Sequence, residues 1–121
     1  MSAPSELRVS KDRKSLTVTF AETGPLVIPA EMLRVMSPSA EVQGHSPDQR
    51  VTVGGKRNVE IMKILPVGNY AVRIVFDDLH ETGIFSWRYL HELGCEKEER
   101  WAAYLRELED KNLTRDPVAL H

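Results

Sequence analysis

Apolar and polar residues alternate with period two in several short stretches, and that spacing predicts strands with one buried face. Leu7 and Val9, then Leu16, Val18 and Phe20 interleaved with Thr17 and Thr19, flank the polar turn Lys11-Asp12-Arg13-Lys14 and predict a first hairpin. After Gly24-Pro25 the run Leu26-Val27-Ile28 leads into a short helix near 29–36. Pro29 suits its first turn, where the missing N–H has no helical partner, and Pro38 cannot continue it. Val51-Thr52-Val53, the turn Gly54-Gly55 and the segment 59–65 predict a second pair of strands. The strongest local pattern is "ILPVGNYAVRIVF". Gly68-Asn69 forms a two-residue loop that tolerates positive φ, with Tyr70, Val72, Ile74 and Phe76 on one face and Ala71, Arg73 and Val75 on the other.

The period then lengthens. Ser86 can cap a short helix near 87–93 by accepting a backbone N–H, and Gly94 suits a left-handed exit from it. Trp101, Tyr104, Leu105 and Leu108 recur at i, i+3, i+4 and i+7, which predicts an amphipathic C-terminal helix near 96–113. Glu96, Glu98 and Glu99 oppose the helix dipole in its first turn, and Glu96 with Arg100 and Glu107 with Lys111 form i, i+4 pairs. Hairpins dominate and no βαβ alternation occurs, so the expected class is α+β with a mostly antiparallel sheet built from hairpins.

Composition narrows the class without naming a function. The 121 residues suit one domain over 1–113, followed by a tail, 114–121, that has no periodicity and is expected to fray. No apolar run approaches the ~20 residues of a membrane span, and the start MSAPSELRVS resembles no secretory leader, so a cytoplasmic protein without membrane contact is expected. Sixteen Lys and Arg against eighteen Asp and Glu provide no positive field for nucleic acid. The lone Cys95 cannot form an internal disulfide and is expected to be a packing residue.

Candidate chemistry is sparse. "VGGKRN", 53–58, lacks the spacing of a phosphate loop and reads as a hairpin turn with a solvated basic tip. "DDLHETGIFSW", 77–87, gathers Asp77, Asp78, His80 and Glu81. However, His80 and His91 are each followed two residues on by Thr82 and Leu93, so neither begins an iron-binding H-x-D/E pattern. Ser37, Ser39 and Ser86 lie in no nucleophile elbow. Trp87, Tyr89, Trp101 and Tyr104 stand at helical spacing with acidic flanks, which fits core packing better than a stacking platform for single strands. No catalytic residue is assigned.

Three stretches together resemble a known family: "LRVMSPSAEVQGHSP", "ILPVGNYAVRIVFDDLHETGIFSWRYLHELG" and "CEKEERWAAYL". They are similar to the small domain at the N-terminus of gamma-butyrobetaine hydroxylase, which also occurs as a stand-alone bacterial protein and fused to iron–sulfur carrier ATPases of the Mrp type. In those hydroxylases a Cys-x-Cys-x2-Cys segment and a histidine in a D-G-H-type turn hold a structural zinc. The resemblance sets the histidine on His80 and the cysteines on Ser37, Ser39 and Val42, so one ligand position of four is retained and no metal or other cofactor is expected. Iron and 2-oxoglutarate belong to a separate, longer domain of the hydroxylases, so the resemblance implies no enzyme. It makes an accessory role plausible; irregular polar loops on a rigid sheet, 36–50 with the turn 77–83, point to a protein-binding module with an unknown protein partner and a candidate interaction surface at Ser37, Ser39, His45, Arg50, Asp78 and His80. The alternative is a metal or metallocofactor handling protein with a weak non-thiolate site at His80 and His45.

Overall fold

Strand β2 (Ser15–Phe20) shows how the period-two pattern is used: Leu16, Val18 and Phe20 are each at most 1% exposed, while the residues between them face outward. In the computed structural model, which describes residues 2–39, 42, 50–81 and 83–117, β2 is the middle of an antiparallel sheet with β1 (Glu6–Val9) and β3 (Gly24–Pro29). The predicted first hairpin is present. Its turn is closed by Asp12, whose Oδ1 accepts from Ser10 Oγ and Lys14 N. Helix α1 (Ala30–Val35) follows at once, with Pro29 serving both as the last residue of β3 and as the helix N-cap.

A second antiparallel sheet holds β4 (Ile61–Val67), β5 (Ala71–Phe76) and β6 (Ile84–Ser86), in that order. Pro66 is tolerated in β4 because an edge strand can spare an N–H. Val67 pairs with Ala71, so the β4–β5 loop has three residues rather than two, and Gly68 supplies a φ of 55°. Tyr70 leaves the apolar face for solvent, while Val72, Ile74 and Phe76 stay buried together with Ala71. The cause lies outside the hairpin: Trp87 donates its backbone N–H to Tyr70 O and its indole N–H to Asn69 O, drawing the loop toward β6.

The strand predicted at Val51-Thr52-Val53 does not form. Side chains and the C-terminal segment occupy its polar groups instead: Tyr104 Oη donates to Val53 O, Thr52 Oγ1 donates to Glu107, and Gly55 N donates to Thr114 O. The 53–58 segment is therefore not a hairpin tip, and its Lys56 and Arg57 are paired with Asp78 and Asp116.

Helix α2 (Trp87–Cys95) begins as expected, with Ser86 Oγ accepting from Tyr89 N. It does not end at Leu93, and Gly94 is an ordinary helical residue inside it. The glycine is needed for close approach, since a Cβ there would lie 2.8 Å from both Leu26 Cβ and Leu26 Cδ1. Gly94→Ala must push α2 away from β3 and is expected to cost about 1–3 kcal/mol, measurable by urea denaturation; an unchanged midpoint would mean that the contact yields freely.

Helix α3 (Lys97–Asp110) buries Tyr104 and Leu108 and packs Trp101 partly against the core. Its apolar face is narrower than predicted, because Leu105 stays 41% exposed. The Glu96–Arg100 pair forms at 3.2 Å. Glu107 binds Arg50 and Thr52 instead of Lys111, whose Nζ donates to Thr52 Oγ1. Beyond α3 the chain is tied down as far as Asp116, where fraying was expected from residue 114. Arg115 forks onto the buried Glu31 at 2.8 and 2.7 Å and lies over the Trp101 ring, while Arg57 N donates to Arg115 O. Residues 118–121 lie outside the described residues. No helix among the described residues is long and apolar enough to cross a membrane.

The main core is enclosed by both sheets, α1 and α2, and includes Phe20, Met32, Ile61, Phe76, Phe85 and Leu93. The end of α1 and the turn after β5 meet at one margin of this core, and that junction holds the candidate site.

Candidate functional site: an internal Ser–Ser–His node beside a salt-bridged turn

The turn after β5 is built by its own backbone. Leu79 N donates to Phe76 O, Phe76 N donates to His80 O, and the Asp78 carboxylate accepts from His80 N at 3.1 Å. These bonds direct the His80 ring inward, where it is only 6% exposed. From the other side, α1 ends at Met36 and delivers Ser37 and Ser39, both buried. Ser37 Oγ lies 3.0 Å from His80 Nε2 and Ser39 Oγ 3.4 Å from the same nitrogen. Val42 is buried nearby in sequence, tied by Val42 N to Ser39 O and by Val51 N to Val42 O. The packing is close: a Cβ on Gly83 would come 2.3 Å from Ser37 Oγ.

Asp78 joins the node to the salt-bridged turn. Its Oδ2 accepts from Arg34 Nε at 2.7 Å and from Lys56 Nζ at 2.6 Å. Burial pushes this carboxyl up, but the hydrogen bonds from Lys56, Arg34 and His80 N outweigh it and hold the pKa down at about 2. Arg34 Nη1 is buried without a hydrogen-bond partner among the described residues. Arg50 belongs to a different place, paired with Glu107 on α3. There too burial raises the Glu107 carboxyl, while hydrogen bonds from Arg50 and Thr52 lower it overall.

The residues expected to form an interaction surface are thus divided. Ser37, Ser39 and His80 come together but are buried, at 0, 5 and 6% exposure, and do not form a face open to solvent. Asp78 is partly exposed and committed to two cations, Arg50 is elsewhere, and His45 lies outside the described residues. The turn instead presents Leu79, which the sequence reading passed over. It is 85% exposed and adopts a φ of 68°, a left-handed conformation that costs a branched side chain. Its position between Asp78 and His80, where a D-G-H turn carries glycine, was the available signal. Cys95 is also exposed rather than packed. The aromatic hydroxyls serve the fold, Tyr89 donating to Met36 O and Tyr104 to Val53 O.

As donors for the zinc that the resemblance implies, these side chains do not fit. Two hydroxyls are poor ligands when neutral, Val42 has no donor atom, and His80 Nε2 already faces both serines. Among the described residues no group of three or more His, Cys, Asp or Glu side chains is placed to hold a metal ion.

Fold and site define a small α+β domain of two antiparallel sheets, organised at one margin by a buried imidazole and two hydroxyls. The chain belongs to the gamma-butyrobetaine hydroxylase-like, N-terminal family, whose model matches residues 7–91. Two solved NMR structures are similar over nearly the whole chain: one is 44% identical, covering 99% of this chain and 94% of the other with a TM-score of 0.85, and one is 38% identical, covering 100% and 94% with a TM-score of 0.82. A crystal structure of a protein of unknown function from Acidithiobacillus ferrooxidans, assigned to the DUF971 family, is 35% identical over 75% of this chain and 91% of its own, with a TM-score of 0.62. None of the curated proteins matches.

Proposed function

We propose that this chain is a non-catalytic accessory module that binds a protein partner through the turn 77–83, and that the Ser37–Ser39–His80 node is a structural substitute for the family's zinc. Leu79 carries the first part of this reading. A large apolar side chain at 85% exposure in a left-handed backbone is costly in the free protein, and covering it with a partner would remove its apolar surface from water. The fixed turn around it limits the entropy lost when a partner covers it. The donor set supports the second part: His80 Nε2 lies 3.0 and 3.4 Å from two serine hydroxyls, at positions where the family's site would present thiolates. Neutral hydroxyls are poor zinc ligands, which weakens the alternative of a metal site at His80.

Leu79→Gly tests the reading directly. The left-handed cost of about 1–2 kcal/mol is removed, partly offset by the greater unfolded-state entropy of glycine, so stability is expected to stay level or rise by up to about 1 kcal/mol. Specific partners captured by cross-linking in the native host should be lost at the same time. Retention of every specific partner would refute the turn as the binding site. A clear loss of stability would mean that Leu79 is packed rather than presented. Elemental analysis of untagged protein should find no stoichiometric zinc.

A further inference from the structure

The outward faces of the two sheets differ. Between its buried residues β2 turns Ser15, Thr17 and Thr19 outward, the polar surface expected of an antiparallel sheet with one face in water. The second sheet departs from that rule. Its outward positions are Lys63, Leu65 and Val67 on β4, Arg73 and Val75 on β5, and Ile84 on β6, while Ile64, Ile74 and Phe85 turn to the core. The register sets Leu65, Arg73 and Ile84 in one row across all three strands, with Lys63 beside Val75 in the next row. Leu65 and Ile84 are 42% and 40% exposed and Arg73 is exposed between them, so no described element covers this row. The helices pack chiefly on β2, β3 and β6.

Both cations of this face lack a counter-charge: among the described residues neither Lys63 nor Arg73 forms an ion pair. On the first sheet, by contrast, Arg8 meets Glu6 at 4.0 Å. The carboxylates Glu60 and Asp77 come only beyond the Ile61–Phe76 pair, and Asp77 is turned back to accept from Glu60 N.

We propose that the outward face of the second sheet docks an acidic amphipathic helix of a partner protein, its apolar stripe covering Leu65, Val75 and Ile84 and its carboxylates meeting Lys63 and Arg73. Charge selects the sign of the partner, because a docked layer excludes water around Arg73, where a carboxylate gains a defined partner and a second cation is repelled. Size selects the helix. Three strands about 4.8 Å apart present a face about 10 Å wide, which matches one helix with its side chains at about 10–12 Å. Laying a helix on an apolar sheet face is also how layered domains bury such a face. Two cations on a chain with more carboxylates than basic residues make no extended positive field, so nucleic acid and anionic membrane are disfavoured. Leu79 lies in the turn beyond β5 and not on these strands, so failure here and retention of partners by Leu79→Gly are separate outcomes.

The test titrates the isotope-labelled full chain with a synthetic helical peptide of about 14 residues, long enough to span the roughly 20 Å of β5. The peptide carries a leucine stripe flanked by glutamates, and its twin has lysine in place of every glutamate. Amide shifts are expected to concentrate on β4, β5 and Ile84, with the acidic peptide bound about tenfold more tightly than its twin at low salt. Lys63→Glu combined with Arg73→Glu, both at exposed positions, should invert that preference with the remaining spectrum unchanged. Arg73→Gln, a milder change, should weaken the acidic peptide by about threefold without any effect on the fold. Binding of neither peptide at millimolar concentration, equal binding of both, shifts centred away from the second sheet, or an unaltered preference in the variants would each overturn the proposal. So would binding of phosphatidylserine vesicles through this face in place of the acidic peptide, since the occupant would then be a membrane.

Discussion

Ser37→Cys, Ser39→Cys and Val42→Cys combined are expected to turn the hydrogen-bonded node into a zinc site with His80 as the fourth ligand. The wild-type geometry already brings the first two positions within 3.0 and 3.4 Å of His80 Nε2, close to the spacing of donors that share a tetrahedral ion. Val42 is the third position by sequence spacing and is buried on the same segment. Closed four-ligand zinc sites in small domains bind with about 10 kcal/mol or more of apparent free energy, so the effect should dominate any cost of the substitutions. Titration against a chelator of known affinity measures the binding, and the melting temperature should rise with free zinc because the metal binds only the folded chain. A folded triple variant that binds zinc no better than wild type would show that residue 42 does not stand at the third ligand position.

The second large effect is expected at Asp78. Asp78→Asn keeps the size of the side chain and an oxygen for His80 N, but leaves Arg34 and Lys56 without their shared counter-charge at a site where the Arg34 side chain is only 12% exposed. Breaking such a pair from one side costs about 3 kcal/mol. The pH dependence separates charge from shape. The carboxyl is held at about 2 in the folded protein, below its value near 3.8 in the unfolded chain, so its stabilisation is fully present above about pH 4 and is lost as pH falls toward 2. A difference of nearly two pKa values amounts to about 2 kcal/mol. Urea denaturation of wild type and variant between pH 7 and 2 should therefore show their stability difference shrinking through that window. A difference that does not change with pH would assign the effect to packing instead.

Sequence-local physics was read well where burial alone organises the chain. The alternation in β2 and β5 and the Tyr104–Leu108 face of α3 follow from which side of an element meets the core, while the proline that ends β3 and the serine cap of α2 follow from which backbone N–H groups a helix start leaves unpaired. The same patterns misjudged residues whose role depends on a distant partner. Gly94 looks like a helix exit until Leu26 is found 2.8 Å from where its Cβ would be, and Val51-Thr52-Val53 looks like a strand until Tyr104, Glu107 and Thr114 claim its polar groups.

The candidate site divides along the same line. Spacing within the family resemblance named Ser37, Ser39, Val42 and His80, but only the fold brought His80 to Ser37 across 43 residues of chain, and only the fold made the group internal. Arg115 reaches Glu31 across 84 residues, and nothing in the local sequence of either announces the other. Periodicity records whether a residue turns toward the interior, because that choice is repeated at every turn or pleat of its own element. Which polar groups meet there is decided once, by how separate elements pack, and so it is written in the tertiary structure alone.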